Sequence, residues 1–149
     1  MTLDDLLAER AITRALVKFA RAMDERDWAA LDALTTEDMT ADVGTGPLEG
    51  RAALVENMRA FLDDCGPTQH LLGNVLIEVD GDDATSRAYV ADLHLGQGEL
   101  RNETFRTLGD YHDRWRRIDG QWRIVHRTKL NRGVLGSFEV LGPGPEGWR

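Results

Sequence analysis

Residues 113–127, DRWRRIDGQWRIVHR, decide the fold. Asp119-Gly120 stands between two strand-forming stretches, and an Asp-Gly pair supplies the two positive-φ positions that a two-residue hairpin turn requires. The flanks continue as long strand-like segments, ETFRTLGDYHDRWRRI (103–118) and QWRIVHRTKLNRG (121–133). Upstream, HLLGNVLIEV (70–79) and ATSRAYVADLHL (84–95) repeat the arrangement around a second turn, DGDD (80–83). Four long antiparallel strands in a meander are therefore expected over the second half of the chain.

Before His70 the apolar period changes from two to about 3.6. Ile12, Leu16, Phe19, Ala20 and Met23 form one stripe of a helix from Leu3 to Met23. Asp27 suits the N-cap of a second helix that starts at Trp28 and turns Leu31 and Leu34 inward. MTADVGTGPLEG (39–50) reads as a short strand entering a Gly/Pro turn. A third helix from Arg51 to about Leu62 faces Leu54, Met58, Phe61 and Leu62 inward, and CGP (65–67) stops it. Helices first and a strand meander after make an α+β domain. N-terminal helices packed into a strongly curved antiparallel sheet would give a cone. The cone is expected over residues 1–141, with 142–149 a loose C-terminal tail.

Composition narrows the function. At 149 residues the chain is long enough for one domain with a core and a pocket. A net charge of −8 argues against a nucleic-acid partner and favours a neutral or apolar ligand over an anionic one. No apolar run nears the roughly 20 residues that span a bilayer, so no membrane partner is expected. MTLDDLLAER is acidic and amphipathic rather than a basic leader, which points to the cytoplasm. Cys65 is the only cysteine, and its acidic neighbours disfavour a thiolate, so a structural thiol is the reading. DLH (92–94) and DYHD (110–113) contain metal-ligating residue types, but no HExxH or paired-His helix accompanies them, so no metal is expected. No phosphate loop, dinucleotide fingerprint or GxSxG is present, which leaves no cofactor and no serine nucleophile.

Two residues invite pairing. Asp24 ends the first helical stripe, and His70 opens the strand region just after a Gly/Pro break. A carboxylate that holds one imidazole nitrogen fixes the tautomer and leaves the other nitrogen as a base. A solvated aspartate and a histidine of no special role remain the other reading of these residues alone. Strand alternation puts Leu72, Asn74 and Leu76 on the side of His70 unless Gly73 marks a bulge.

The first helix running into MDERDW, the PLEGRAALVENM turn and helix, TQHLLGN and DRWRRIDGQWRIVHR occur in one order along the chain. In that order they resemble the SnoaL-like family of the nuclear-transport-factor-two-like (cone) superfold. The nearest likenesses are to scytalone dehydratase, hexachlorocyclohexane dehydrochlorinase and the bile-acid dehydratase. The resemblance implies a cofactor-free lyase whose Asp24–His70 dyad takes a proton from a small, largely apolar cyclic substrate in a dehydratase-type elimination. It also departs from the pattern. Met23 and Val43 stand where scytalone dehydratase has two tyrosines that polarise its substrate, so another donor must act. Asn74, Tyr111, Arg127 and Lys129 are the candidates, Arg132 lies within a residue of where the bile-acid dehydratase has a site arginine, and His94 borders the same expected cavity. An isomerase or polyketide cyclase on the same fold, or a non-catalytic small-molecule-binding domain, are the alternatives. A homodimer or homotrimer through the sheet is expected.

Overall fold

In a computed structural model that describes residues 1–148, eight main elements follow one another. They are α1 (Leu3–Glu25), β1 (Thr35–Asp42), β2 (Pro47–Glu49), α2 (Arg51–Leu62), β3 (Thr68–Asp80), β4 (Asp83–Leu95), β5 (Thr104–Ile118) and β6 (Gln121–Gly136). The strands form one sheet in the order β2-β1-β6-β5-β4-β3. It is curved and unclosed, a cystatin-like arrangement with α1 and α2 on its concave side. The expected α+β cone is the observed architecture. No helix among the described residues is long and apolar enough to cross a membrane.

Local chemistry sets the ends of α1. Thr2 and Asp5 form a reciprocal capping box, with Asp5 N–H donating to Thr2 Oγ1 at 3.1 Å and Thr2 N–H to Asp5 Oδ2 at 2.7 Å. At the other end Arg26 takes the left-handed conformation, φ 56°, and turns the chain away just after Asp24. The stripe Ile12, Leu16, Phe19 and Met23 is buried against the sheet, as its spacing predicts. Trp115 and Trp122, which flank the decisive hairpin, are buried with them, and Trp115 Nε1 donates to Ser86 Oγ at 2.8 Å.

Three features differ from the sequence expectations. The segment after Asp27 is a six-residue 3₁₀ turn, Trp28–Ala33, rather than an α-helix, although Asp27 does cap it. The short strand begins earlier, at Thr35, and pairs parallel to β6 as well as antiparallel to β2. A parallel partner so far along the chain leaves no local signature. The tail is not loose over its described part. Gly142 N–H donates to Phe61 C=O at 2.8 Å and Gly144 N–H to Ala60 C=O at 3.1 Å, which lays it on the end of α2. Trp148 then packs edge-on against Phe61, ring centroids 4.8 Å apart. A large aromatic three residues past the second Gly-Pro pair found an apolar surface to cover, and this outweighed the turn-rich composition around it.

Bulges decide which side chains face inward. On β3 the pairing with β4 slips between Gly73 and Leu76, and Asn74 has φ 50°. The alternation therefore inverts: His70 and Leu72 face in, and after the slip Val75, Ile77 and Val79 do. Asn74 and Leu76, expected on the side of His70, turn out. On β6 the slip near Val125 lets Trp122 and Ile124 face in and then Arg127. A second slip on β6 leaves Arg132 unpaired in register and turned outward.

Candidate active site

Between the C-terminal half of α1, α2 and the sheet lies a predominantly apolar cavity of about 290 Å³. Phe19, Met23, Leu54, Met58 and Phe61 supply its helical wall. Polar groups enter almost entirely from β3–β6.

Asp24 and His70 meet at one wall. Asp24 Oδ1 accepts from His70 Nδ1 at 2.7 Å, and Asp24 Oδ2 accepts from the His70 backbone N–H at 3.0 Å. A second donor, Thr68 Oγ1, reaches Oδ1 at 2.9 Å. Arg26 stands behind Thr68, donating to its hydroxyl at 2.9 Å. It also donates to the carbonyls of Met23 (2.7 Å), Leu62 (2.9 Å) and Gly66 (3.0 Å). One guanidinium thus ties the end of α1 to the end of α2 and the start of β3. Burial pushes the Asp24 carboxyl up, but the hydrogen bonds from the His70 ring, its backbone and Thr68 outweigh this and hold it below the ordinary carboxylate value. An ionised carboxylate only accepts, so His70 Nδ1 carries the hydrogen, and in the neutral ring Nε2 is the nitrogen with the lone pair. The His70 side chain is only 5% exposed, and the residue lines the cavity.

A second polar unit lies on the sheet side. Asp92 is buried and accepts from Thr107 N–H at 2.8 Å, Thr107 Oγ1 at 2.6 Å and Lys129 Nζ at 2.6 Å. Lys129 also donates to Thr107 Oγ1 at 2.9 Å. Burial raises the Asp92 carboxyl, and Lys129 with Thr107 more than reverses it. His94 stands between the two units, its ring edge-on to His70 at 5.6 Å. Because a carbonyl only accepts, the 3.1 Å contact to Phe105 C=O makes His94 Nδ1 the protonated nitrogen. Burial is the main cause that lowers the His94 pKa to about 4, so the ring is neutral at cellular pH.

His70, Asp92 and His94 each bring one ligand-type atom within 4.8 Å of the others, and among the described residues they are a set whose residue types could hold a metal ion. Lys129 already places a cation 2.6 Å from Asp92 Oδ2, so an entering metal would meet the charge of the ammonium.

Of the remaining candidates, Met23, Val43, Tyr111, Arg127 and Lys129 line the cavity. Arg127 is committed: it forms two 2.8 Å bonds to Asp113 and lies between the rings of Phe19 (4.2 Å) and Tyr111 (3.9 Å). Burial drives the Tyr111 hydroxyl strongly upward, so it is a neutral donor. Asn74 and Arg132 do not join the site. Asn74 borders an outer-face groove with Arg87, Tyr89 and Asp110, and Arg132 bonds Asp110 at 3.3 Å on that same face. Cys65 is buried against Leu95 C=O at 3.6 Å, and burial pushes its thiol pKa up.

Sequence reasoning did not single out Arg26, Thr68, Thr107 or Asn57, and it read Asp92 only as a metal-type residue. Thr68 and Asp92 each stand two residues before a site histidine, which on a strand means the same face. Asn57 offers no such signal. It reaches the cavity from α2, where Thr45 Oγ1 donates to its Oδ1 at 2.8 Å.

The family model for the SnoaL-like domain matches residues 4–128, and the chain belongs to that family. Uncharacterized proteins of Mycobacterium tuberculosis and Mycobacterium bovis are 30% identical over 120 residues, covering 79% of this chain and 81% of theirs. A solved structure from Novosphingobium aromaticivorans, provisionally named an aromatic ring hydroxylase, is 26% identical with a TM-score of 0.79 over 94% of this chain and 98% of that one. A type-2 hexachlorocyclohexane dehydrochlorinase gives a TM-score of 0.80 at 20% identity, covering 97% and 98%. A Novosphingobium aromaticivorans protein provisionally named scytalone dehydratase gives 0.77 at 24%, covering 99% and 98%. The last two establish likeness of fold, which is of the nuclear-transport-factor-two type.

Proposed function

We propose that this member of the SnoaL-like family is a cofactor-independent lyase that eliminates a leaving group from a small, largely apolar cyclic substrate. The observation that carries the reading is the 2.7 Å Asp24–His70 pair at the wall of an apolar hollow, with Nε2 unpartnered among the described residues. In this reading Nε2 removes a proton from carbon, Asp24 stabilises the imidazolium that results, and the leaving group departs from the neighbouring carbon. The names of two structural neighbours, a dehydrochlorinase and a dehydratase, are names of eliminations, which supports the class.

General-base catalysis contributes about 10²–10⁴-fold, and His70→Ala is expected to lose that much. The test compares wild type and His70→Ala on cyclic β-hydroxy ketones and on chlorinated cyclohexanes, following product by absorbance and halide release. Equal rates in the two proteins remove the base assignment. Ligand binding without turnover in either favours a binding domain instead.

The outer sheet face supports a proposal about assembly. Leu71, Leu76, Leu108 and Leu130 are 45–66% exposed there, too much apolar surface for scattered single residues. Association of copies through the sheet, checked by light scattering, would cover them.

A further inference from the structure

We infer that Lys129 is the donor that receives a developing oxyanion in this cavity, and hence that the substrate carries a carbonyl beside the C–H bond that breaks. The inference rests on His70 being the base.

The geometry separates Lys129 from every other cation near the cavity. An ammonium has three donors. Two of those on Lys129 end on Asp92 Oδ2 at 2.6 Å and Thr107 Oγ1 at 2.9 Å, and the third has no partner among the described residues. Arg127, by contrast, is closed on Asp113 and stacked on both faces.

Its stem is accommodated by design of the sheet. A Cβ at Gly109 would stand 2.8 Å from Lys129 Cε and 2.7 Å from Val90 Cγ1, so a side chain there would displace the Lys129 stem or the Val90 methyl. A central strand of a sheet is a costly place for glycine unless something must approach closely.

Charge balance says what the third N–H is for. Asp92 cancels the charge of Lys129, so the pair is no trap for a substrate that is already an anion. It favours charge that appears only as the reaction proceeds, where a preorganised donor in a water-poor site acts most strongly. Base and donor both lie close to Asp92: a carboxylate oxygen is within 4.8 Å of a His70 ring nitrogen, and Oδ2 is 2.6 Å from Lys129 Nζ.

The chemistry then balances on a β-hydroxy ketone. His70 Nε2 takes the α-proton, the C–H pair becomes the new Cα–C double bond, and the carbonyl pair moves onto oxygen beside the Lys129 N–H. When the carbonyl re-forms, the pair of that double bond shifts to make the Cα–Cβ double bond, the Cβ–O bond breaks with its pair on oxygen, and the departing hydroxide takes the proton from the His70 imidazolium and leaves as water. Lys129 keeps its proton throughout.

The test uses 1-tetralone, whose α-protons exchange without any leaving group, and 1-naphthol, an aromatic enol. In D₂O, wild type is expected to deuterate 1-tetralone, followed by NMR. Lys129→Met should lose about 10²–10³ in that rate, the usual loss of an oxyanion donor. Because that variant strands a buried carboxylate, Asp92→Asn/Lys129→Met is made as well, and the same loss is expected from it. Bound 1-naphthol should ionise at lower pH in wild type and in His70→Ala, and not in either Lys129 variant. Tyr111→Phe, which removes the rival neutral donor, should change exchange by less than tenfold.

Exchange within threefold of wild type in the two Lys129 variants overturns the inference, as does a larger loss in Tyr111→Phe. A wild type that neither deuterates 1-tetralone nor binds 1-naphthol also overturns it. If such a protein still eliminates chloride from chlorocyclohexanes in a His70-dependent way, the base assignment stands without Lys129. If His70→Ala exchanges as fast as wild type, the base assignment itself fails.

Discussion

The two ends of the cone share the same helix and the same strands, yet one is filled and the other hollow. Toward the β5–β6 turn, Ile12 and Leu16 meet Trp115, Trp122 and Ile124, all buried in one apolar cluster. Toward the other end, Phe19 and Met23 face His70, Asp92, Tyr111 and Lys129 across open space. The boundary falls at the bulges, where β3 slips past Gly73 and β6 past Val125. Each slip changes which residues of its strand face inward, so one strand contributes core at one end and chemistry at the other. Apolar side chains interdigitate and close the space. Paired polar groups hold each other against the walls and leave it open.

The deepest way to break the hollow end short of its base is to strand one of its charges. Arg127→Leu leaves Asp113 buried with no counter-charge, and a loss on the order of 3–5 kcal/mol is expected, read from chemical denaturation midpoints. In the filled end, Ile124→Ala opens a void beside Trp115 and should cost about 2–5 kcal/mol. Unlike Arg127→Leu, it should leave ligand affinity at the other end within twofold when measured well below the melting temperature.

Acid sharpens the contrast next. His94 is buried neutral with its pKa lowered to about 4, while in the unfolded chain it titrates near its ordinary 6.5. Between those values the unfolded chain binds a proton that the folded one refuses, so stability falls as pH drops through that window. The loss approaches roughly 3 kcal/mol once pH is below 4. Asp24 and Asp92, both lowered, add their own losses as pH falls toward and through their folded values. Urea titrations at pH 7 and pH 5 should differ in wild type and differ less in His94→Phe, whereas a substitution in the filled end leaves the difference unchanged.

The smallest effect is expected at the mouth. Trp148→Ala removes an edge-on aromatic pair with Phe61 and a contact of ring centroids at 5.8 Å with Phe138. Stability should fall by no more than about 1.5 kcal/mol, the usual worth of such pairs. Ligand affinity, measured by calorimetry, should weaken severalfold because the cavity loses one side of its rim.

Asp119-Gly120, the strand runs beside it and the 3.6-residue stripe of α1 were enough to read an α+β domain from the chain, because turn chemistry and side-chain period act over a few residues, whereas the cone was implied by the family likeness. Asp24 and His70 could be named for their chemistry and for a likeness to the SnoaL-like family, but their 2.7 Å contact depends on how α1 meets β3. Asn74 turns outward through the exception that Gly73 allowed, since a bulge shifts register by one residue and one residue reverses a side chain, and Arg132, named from the family likeness, is turned out by a second slip. The Arg26–Thr68 brace, the Asp92–Thr107–Lys129 unit and the docked Trp148 join residues far apart in the chain. Such pairings are decided by the closing of the sheet over the helices, since only there does burial make an unpaired charge too costly to leave.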